Sequence, residues 1–368
     1  MRGTTCSVVA ATKPIATGRR HQMHEPPSRA RTSRNRSARE RAPPVVTAIQ
    51  AEGRARRLCP RDDAPVMADG RFAPSPSGDL HIGNLRTALL AWLFARSSGG
   101  RFVVRMEDLD RATANAWHEA RQLADLSALG LDWDGEVLRQ SERFASYDEA
   151  ISRLDALGLT YSCYCTRREI REAATAPHGP APEGAYPGTC RALTQAQRND
   201  RQATGRPPAL RLRTAKEVVA FEDRFAGLVE AEVDDVVLRR NDGVPSYNLA
   251  VVIDDGVQLV EEVVRADDLL LSTPRQIHLG RLLGLPRPAY VHVPLVLGPD
   301  GARLAKRHGA VTLRDLAAAG QSPADVLNRL AVSVNLAEPG ESVTTEGLLA
   351  RFDPDALPRH PWILDADP

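Results

Sequence analysis

The chain has 368 residues, of which 42% are hydrophobic, 26% charged and 5% aromatic. This is apolar enough to bury a core, which excludes wholesale disorder; five cysteines exclude a disulfide scaffold, and no apolar run reaches the roughly 18 residues of a membrane span. The net charge of +1 hides two unlike parts: residues 1–66 carry 14 Lys/Arg against 5 Asp/Glu, so the rest is net acidic and is not a globally basic nucleic-acid binder.

Length implies two to three domains. Residues 1–66 are rich in Arg, Ser, Ala and Pro and lack apolar periodicity, which predicts disorder. The expectation is that translation starts at Met67; a real RNA-binding arm and an Arg-rich transit peptide are the other readings. From Met67, Arg71-Phe72-Ala73-Pro74-Ser75-Pro76-Ser77-Gly78 predicts a short strand entering a stiff turn-rich loop. A strongly apolar helix follows His81-Ile82-Gly83-Asn84 and stops at Gly99-Gly100. Phe102–Met106 is a β-branched run and a predicted strand, ending in Glu107-Asp108-Leu109-Asp110. Strand, helix, strand in this order makes a βαβ unit, hence an α/β fold with a parallel sheet.

Helices are predicted over 115–130 and 144–158. Residues 160–210 are rich in Cys, Pro and Gly and read as an insertion. Strands are then predicted at Glu217–Phe221, Val233–Arg239, Leu249–Ile253 and Gln258–Val264. A helix over 274–283 closed by Gly284, a strand over Val291–Leu297 and a mostly helical stretch over 311–352 complete the pattern.

Two constellations point to nucleotide chemistry. A rigid loop feeding a helix start presents backbone N–H groups and a positive dipole end to an anion, and His81 can donate to a phosphate oxygen. Gly83 lets a ligand approach the backbone closely. Arg303-Leu304-Ala305-Lys306-Arg307 is a basic loop behind a Gly-Pro-Asp-Gly turn, suited to neutralising a leaving pyrophosphate. A third constellation, Cys163-x-Cys165 with a distant Cys190, has the converging thiols that zinc ligation requires; cysteines buried without a metal are the alternative.

In the order in which these motifs occur, the chain resembles the class I aminoacyl-tRNA synthetases of the glutamyl type over most of 71–310. The His81 motif matches the signature written HIGH, the Lys306 loop the one written KMSKS, and Arg-Phe-Ala-Pro-Ser-Pro-Ser-Gly and Met-Glu-Asp-Leu-Asp are typical of the glutamyl and glutaminyl branch. Only 61 residues follow Arg307, too few for a helical anticodon-binding region. The chain is therefore similar to the truncated paralogues, the glutamyl-queuosine tRNA(Asp) synthetases.

The resemblance implies a Rossmann-type parallel sheet, a zinc-stapled insertion and a short C-terminal helical region. Its divisions are an extension at 1–66, a first catalytic half at 67–159, a zinc-binding insertion at 160–215, a second half at 216–300 and a loop with helices at 301–368. It implies activation of L-glutamate by Mg-ATP without tRNA, then transfer to the queuosine base in the anticodon of tRNA(Asp), by a monomeric cytoplasmic enzyme with one structural Zn2+. The rivals are charging of a tRNA 3′ end by a truncated glutamyl-tRNA synthetase, and a non-catalytic RNA-binding protein.

By position, the resemblance gives glutamate to Arg71, Phe72, Ala73, Pro74, Ser75, Glu107, Tyr247 and Arg265. It gives ATP to His81, Gly83, Asn84 and Lys306, with His81 and Lys306 catalytic, and zinc to Cys163, Cys165, Tyr186 and Cys190. His178 competes with Tyr186 as the fourth ligand. Four departures stand out: Asn84 for the last His of HIGH, Arg303 and Ala305 within the KMSKS match, and Ala266 where relatives often have Gly.

Overall fold

Parallel strands cannot be joined by a tight turn, so each needs a crossover, and here the first crossover is also the most buried helix. In the computed structural model, which describes residues 67–174, 185–304 and 311–364, β1 (Gly70–Phe72) pairs in parallel with β2 (Phe102–Met106). Between them runs α1 (Ile82–Ser97), buried along most of its length. The return to β2 uses Gly99 in a left-handed conformation, φ 77°. Gly100 packs so tightly that a Cβ there would lie 2.2 Å from the Ala68 carbonyl oxygen. The segment 1–66, His178 and the Lys306 loop lie outside the described residues.

The elements that follow are α2 (Ala116–Ala128), β3 (Leu138–Arg139), α3 (Phe144–Ala156), β4 (Thr160–Cys163), α4 (Arg167–Ala174) and α5 (Gln195–Ala203). Then come β5 (Ala209–Leu212), β6 (Val218–Asp223), β7 (Gly227–Glu232), β8 (Val237–Arg239), α6 (Tyr247–Val257), β9 (Glu262–Ala266) and α7 (Thr273–Leu283). The chain closes with β10 (Ala289–Val293), β11 (Val296–Leu297), α8 (Leu313–Ala318), α9 (Pro323–Val332), α10 (Thr345–Ala350) and β12 (Trp362–Ile363).

The main sheet has seven strands in the order β3-β2-β1-β9-β10-β6-β7. All its pairs are parallel except the β6–β7 hairpin at one edge. Alternation along each strand feeds two cores. Phe102, Val104 and Met106 of β2, with Val264 and Val291, pack with α1 and the C-terminal helices. Val103, Val263 and Tyr290 pack with α3, α6 and α7 on the other face. β4, β5 and β8 form a separate three-stranded antiparallel sheet, beside which Tyr161, Cys163, Tyr164, Tyr186 and Cys190 make a small core of their own. No helix among the described residues is long and apolar enough to cross a membrane.

Four predicted strands are corrected. Leu249–Ile253 is helical: Ser246 caps α6 by accepting from the Leu249 N–H, and an apolar run of five reads equally well as buried helix. Val233–Arg239 yields only the short β8: residues 233–236 join no strand, and the Asp234 and Asp235 carboxylates there accept from Arg275 and Arg191. The strand predicted over Gln258–Val264 begins later, at Glu262, after Leu259 takes a left-handed φ of 58°. Pro294, which has no N–H to donate, divides Val291–Leu297 into β10 and β11.

Asp254 of α6 is fully buried and accepts from Tyr147 Oη at 2.7 Å, Gln140 Nε2 at 3.0 Å and Arg143 Nε at 2.6 Å. It ties α6 to α3 and to the turn before α3. Asp254→Ala strands three donors and should cost about 3 kcal/mol, read as a lowered urea midpoint with unchanged slope.

Candidate active site

A cavity of about 760 Å³ opens at the carboxyl ends of β1, β2 and β9. Strand order reverses there, since β1 lies between β2 and β9, and such a switch point is where open parallel sheets leave a crevice. Every described residue that the sequence assigns to glutamate or ATP borders it: Arg71, Phe72, Ala73, Pro74 and Ser75 from β1 and its loop, Glu107 from the end of β2, Tyr247 from the start of α6, Arg265 from β9, and His81, Gly83 and Asn84 from the start of α1.

The floor is built from buried charge. Asp255 Oδ1 takes Arg105 Nη1 at 2.8 Å and Arg71 Nε at 3.3 Å. Arg105 Nη2 also lies 3.5 Å from Glu107, and Arg71 Nη1 donates to the Val264 carbonyl at 3.1 Å. Burial alone would raise the Asp255 carboxyl, but the Arg105 and Arg71 guanidiniums outweigh it and hold it below the usual carboxylate range. Glu107 goes the other way: burial raises it, and Arg105 and Arg71 only partly offset this. A cation bound beside Glu107 would pull it down again. Burial also raises the Tyr247 phenol, keeping it a neutral hydrogen-bonding group.

Arg265 stands in a different environment. It is 5% exposed, and its guanidinium donates to His292 Nε2 at 3.0 Å, Gln276 Oε1 at 2.9 Å and Thr273 Oγ1 at 2.7 Å. All three acceptors are neutral, and no carboxylate among the described residues pairs with it.

The start of α1 is shaped by a reciprocal cap. His81 Nδ1 accepts from the Asn84 N–H at 3.2 Å, and Asn84 Oδ1 accepts from the His81 N–H at 3.2 Å. Nδ1 is thus the lone pair, so Nε2 carries the proton of the neutral ring and is a donor. Burial lowers the His81 pKa and favours that neutral form. Asn84 therefore has a use of its own where the signature has histidine. Gly83 leaves space for the same imidazole, since a Cβ there would meet its Cε1 and Nδ1 at 3.0 Å. The loop before α1 is held from α2, where Gln122 Nε2 donates to the Ser75 and Gly78 carbonyls at 3.0 and 2.7 Å. Arg303 and Leu304 border the cavity, and Ile82 donates to the Val311 carbonyl at 2.7 Å. Lys306, between them in sequence, lies outside the described residues.

A second cavity of about 770 Å³ shares Ser75, Glu107 and Tyr247 with the first. Its far wall carries Arg167, Arg206, Arg211 and Arg240.

Cys163, Cys165 and Cys190 have their sulfurs mutually within 4.8 Å, with Cys165 and Cys190 at 3.4 Å. Tyr186 Oη joins them at 3.3 Å from Cys163 and 3.7 Å from Cys165. Tetrahedral zinc with thiolate bonds near 2.3 Å places its donors about 3.8 Å apart, so the set has the size and softness for one such ion. Hydrogen bonds from Cys165 and Cys190 pull the Cys163 thiol well below its usual value. His178 lies outside the described residues.

Asp255, Arg105 and Gln122 carry no motif. The signals that would have found the first two are the Arg inside Phe-Val-Val-Arg-Met and the Asp pair closing Val-Val-Ile-Asp-Asp, charges placed within runs that must be buried.

Fold and cavity together define the catalytic domain of a class I tRNA synthetase. The family described as tRNA synthetases class I (E and Q), catalytic domain, matches residues 68–367. The chain is 63% identical over 304 residues to the glutamyl-Q tRNA(Asp) synthetase of Nocardia farcinica, covering 82% of this chain and 94% of that one. It is 50% identical over 314 residues to the glutamyl-Q tRNA(Asp) synthetase of Symbiobacterium thermophilum, covering 82% and 97%. The crystal structure of a glutamate tRNA ligase from Elizabethkingia meningosepticum in complex with its amino acid superimposes with a TM-score of 0.68 at 25% identity, covering 82% of this chain and 67% of that one. The chain belongs to the glutamyl-Q tRNA(Asp) synthetases, ligases of the aminoacyl-tRNA synthetase type.

Because the Asp255 carboxyl is held below its ordinary 3.8, its stabilisation is complete above that pH and is lost as pH falls through the folded value. Asp255→Asn should therefore lower stability by about 3 kcal/mol at pH 7. The gap between variant and wild type should close as the pH falls below 3.8, read from urea midpoints across the acid range.

Proposed function

We propose that the protein condenses L-glutamate with Mg-ATP, without tRNA, to glutamyl-adenylate and pyrophosphate, and then transfers the glutamyl group to the queuosine base in the anticodon of tRNA(Asp). The observation that carries the first half is the charge pattern of the cavity. A guanidinium with only neutral partners, and Arg71, whose Nη2 has no partner among the described residues, line one cavity with Glu107. An amino acid with an ammonium group and two carboxylates complements that pattern.

In this reading Glu107 takes the α-ammonium, Arg71 and Arg265 take carboxylate oxygens, and Tyr247 donates a hydrogen bond. Phe72, Ala73, Pro74 and Ser75 shape the pocket. One α-carboxylate oxygen attacks the α-phosphorus in line, and the bond to the pyrophosphate oxygen breaks. The carboxylate is already nucleophilic at pH 7, so no general base is needed. His81 donates from Nε2, and the α1 N–H groups beside Gly83 and Asn84, with Lys306, stabilise charge spreading over the phosphates. A hydroxyl of the queuosine ring then attacks the activated carbonyl, losing its proton as AMP leaves.

The second half is supported by the relatives' name and by the adjoining cavity. Ser75, Glu107 and Tyr247 stand on the boundary, and the arginines beyond them suit an RNA backbone. Cys163, Cys165, Tyr186 and Cys190 would hold one structural Zn2+, whose chemistry is to cross-link an insertion with little apolar core of its own.

On purified protein without tRNA, ATP–pyrophosphate exchange should depend on glutamate and not on glutamine or aspartate. With queuosine-containing tRNA(Asp), the glutamylated product should lose the periodate sensitivity of the queuosine diol. Exchange with no change at queuosine would favour charging of a 3′ end; no exchange at all would leave the non-catalytic reading. Metal analysis should give about one zinc per chain. Cys190→Ser should lose it and open the insertion to limited proteolysis ahead of the parallel-sheet core.

A further inference from the structure

We propose that His292 and Asp223 are positioning residues for Arg265: a neutral imidazole, held in one tautomer by a buried carboxylate, aims the guanidinium at the substrate carboxylate without neutralising it. The inference rests on the glutamate reading above.

The geometry fixes each proton. His292 Nε2 lies 3.0 Å from Arg265 Nε, which can only donate, so Nε2 must be the acceptor. The ring proton is then on Nδ1, which lies 2.6 Å from Asp223 Oδ2. Asp223 is itself locked by the N–H groups of Phe225 at 3.0 Å, Ala226 at 2.9 Å and His292 at 3.1 Å. Both side chains of the His292–Asp223 pair are fully buried. Burial lowers the His292 pKa despite the Asp223 hydrogen bond, which keeps the ring neutral.

A carboxylate placed directly on Arg265 would aim it equally well and cancel its charge, as Asp255 does for Arg105. Two hydrogen bonds with an imidazole between them keep the anion one ring further away. Asp223 makes Nε2 a better acceptor, and the guanidinium stays without a carboxylate partner among the described residues. Thr273 and Gln276 complete its shell with neutral oxygens. Asp223 also makes the single register pair that joins the β6–β7 hairpin to β10, so this edge of the sheet reaches Arg265 through His292.

Two conservative variants separate the contacts. His292→Asn keeps a donor near Nδ1 for Asp223 and loses the acceptor facing Arg265. His292→Gln can restore an acceptor near Nε2 and loses the donor to Asp223. Glutamate binding to the full chain, titrated calorimetrically without ATP, should weaken about tenfold in His292→Asn and by less than about threefold in His292→Gln. The KM for ATP should stay within about twofold in both, and wild-type discrimination of glutamate over glutamine should narrow in His292→Asn.

Thr273→Val removes one neutral acceptor in nearly the same volume. It should weaken glutamate binding about threefold with little change in melting temperature, which keeps the test alive if the His292 variants misfold. Equal losses in the Asn and Gln variants, or parallel losses for glutamate and ATP, would overturn the relay and leave the glutamate reading intact. A wild type that binds no glutamate would overturn both.

Discussion

The site depends on how buried charge is balanced at the carboxyl edge of the parallel sheet. Burying an ion without a partner is expensive, so each charge on the cavity floor needs compensation. Arg105, Arg71, Asp255 and Glu107 compensate one another within a few ångströms. Arg265 is solvated by neutral acceptors only. Among the described residues the cluster is therefore close to neutral except at Arg265, where an anionic group would gain most from arriving.

The same division of labour holds the nucleotide end. The first turn of α1 has N–H groups to spare, and its cap is made by the residue expected to act on phosphate. Since His81 Nδ1 is committed to the Asn84 N–H, the proton of the neutral ring sits on Nε2 by default. Gly83 gives the ring its place, and Gln122 braces the preceding loop from the neighbouring helix. These are second contacts, and they convert a short motif into a fixed geometry.

The two cavities meet at Ser75, Glu107 and Tyr247. In the proposed reaction, a group activated on one side would be within reach of a nucleophile delivered from the other. The neighbouring antiparallel sheet supplies Arg211 of the second wall, α4 supplies Arg167, and residues flanking β5 and β8 supply Arg206 and Arg240; the sulfur cluster sits beside that sheet. Among the described residues its core is five residues, two of them cysteines, too small to hold the segment by apolar burial alone.

Much of this was legible in the residues. The β1–α1–β2 unit, the helix closed by Gly284 and the motif residues of the cavity follow from local pattern, because a β-branched run, a cap and a glycine stop act within a few positions of themselves. Leu249–Ile253 was not, since an apolar run of five is buried equally well as strand or helix and only the Ser246 cap and the packing of α6 on α3 decide it. His292 and Asp223 could not be read locally either, and the apolar run that marks Asp255 as buried does not say which cations it meets. They sit in separate elements, and their meaning is their meeting: Arg71 and Asp255 are far apart in sequence and share a hydrogen bond. Sequence alone determined the family, the strand–helix frame and which residue types the chemistry would use. The tertiary structure decided which of those charges are cancelled and which is left for the substrate, because electrostatic compensation falls off within a few ångströms of space and takes no account of distance along the chain.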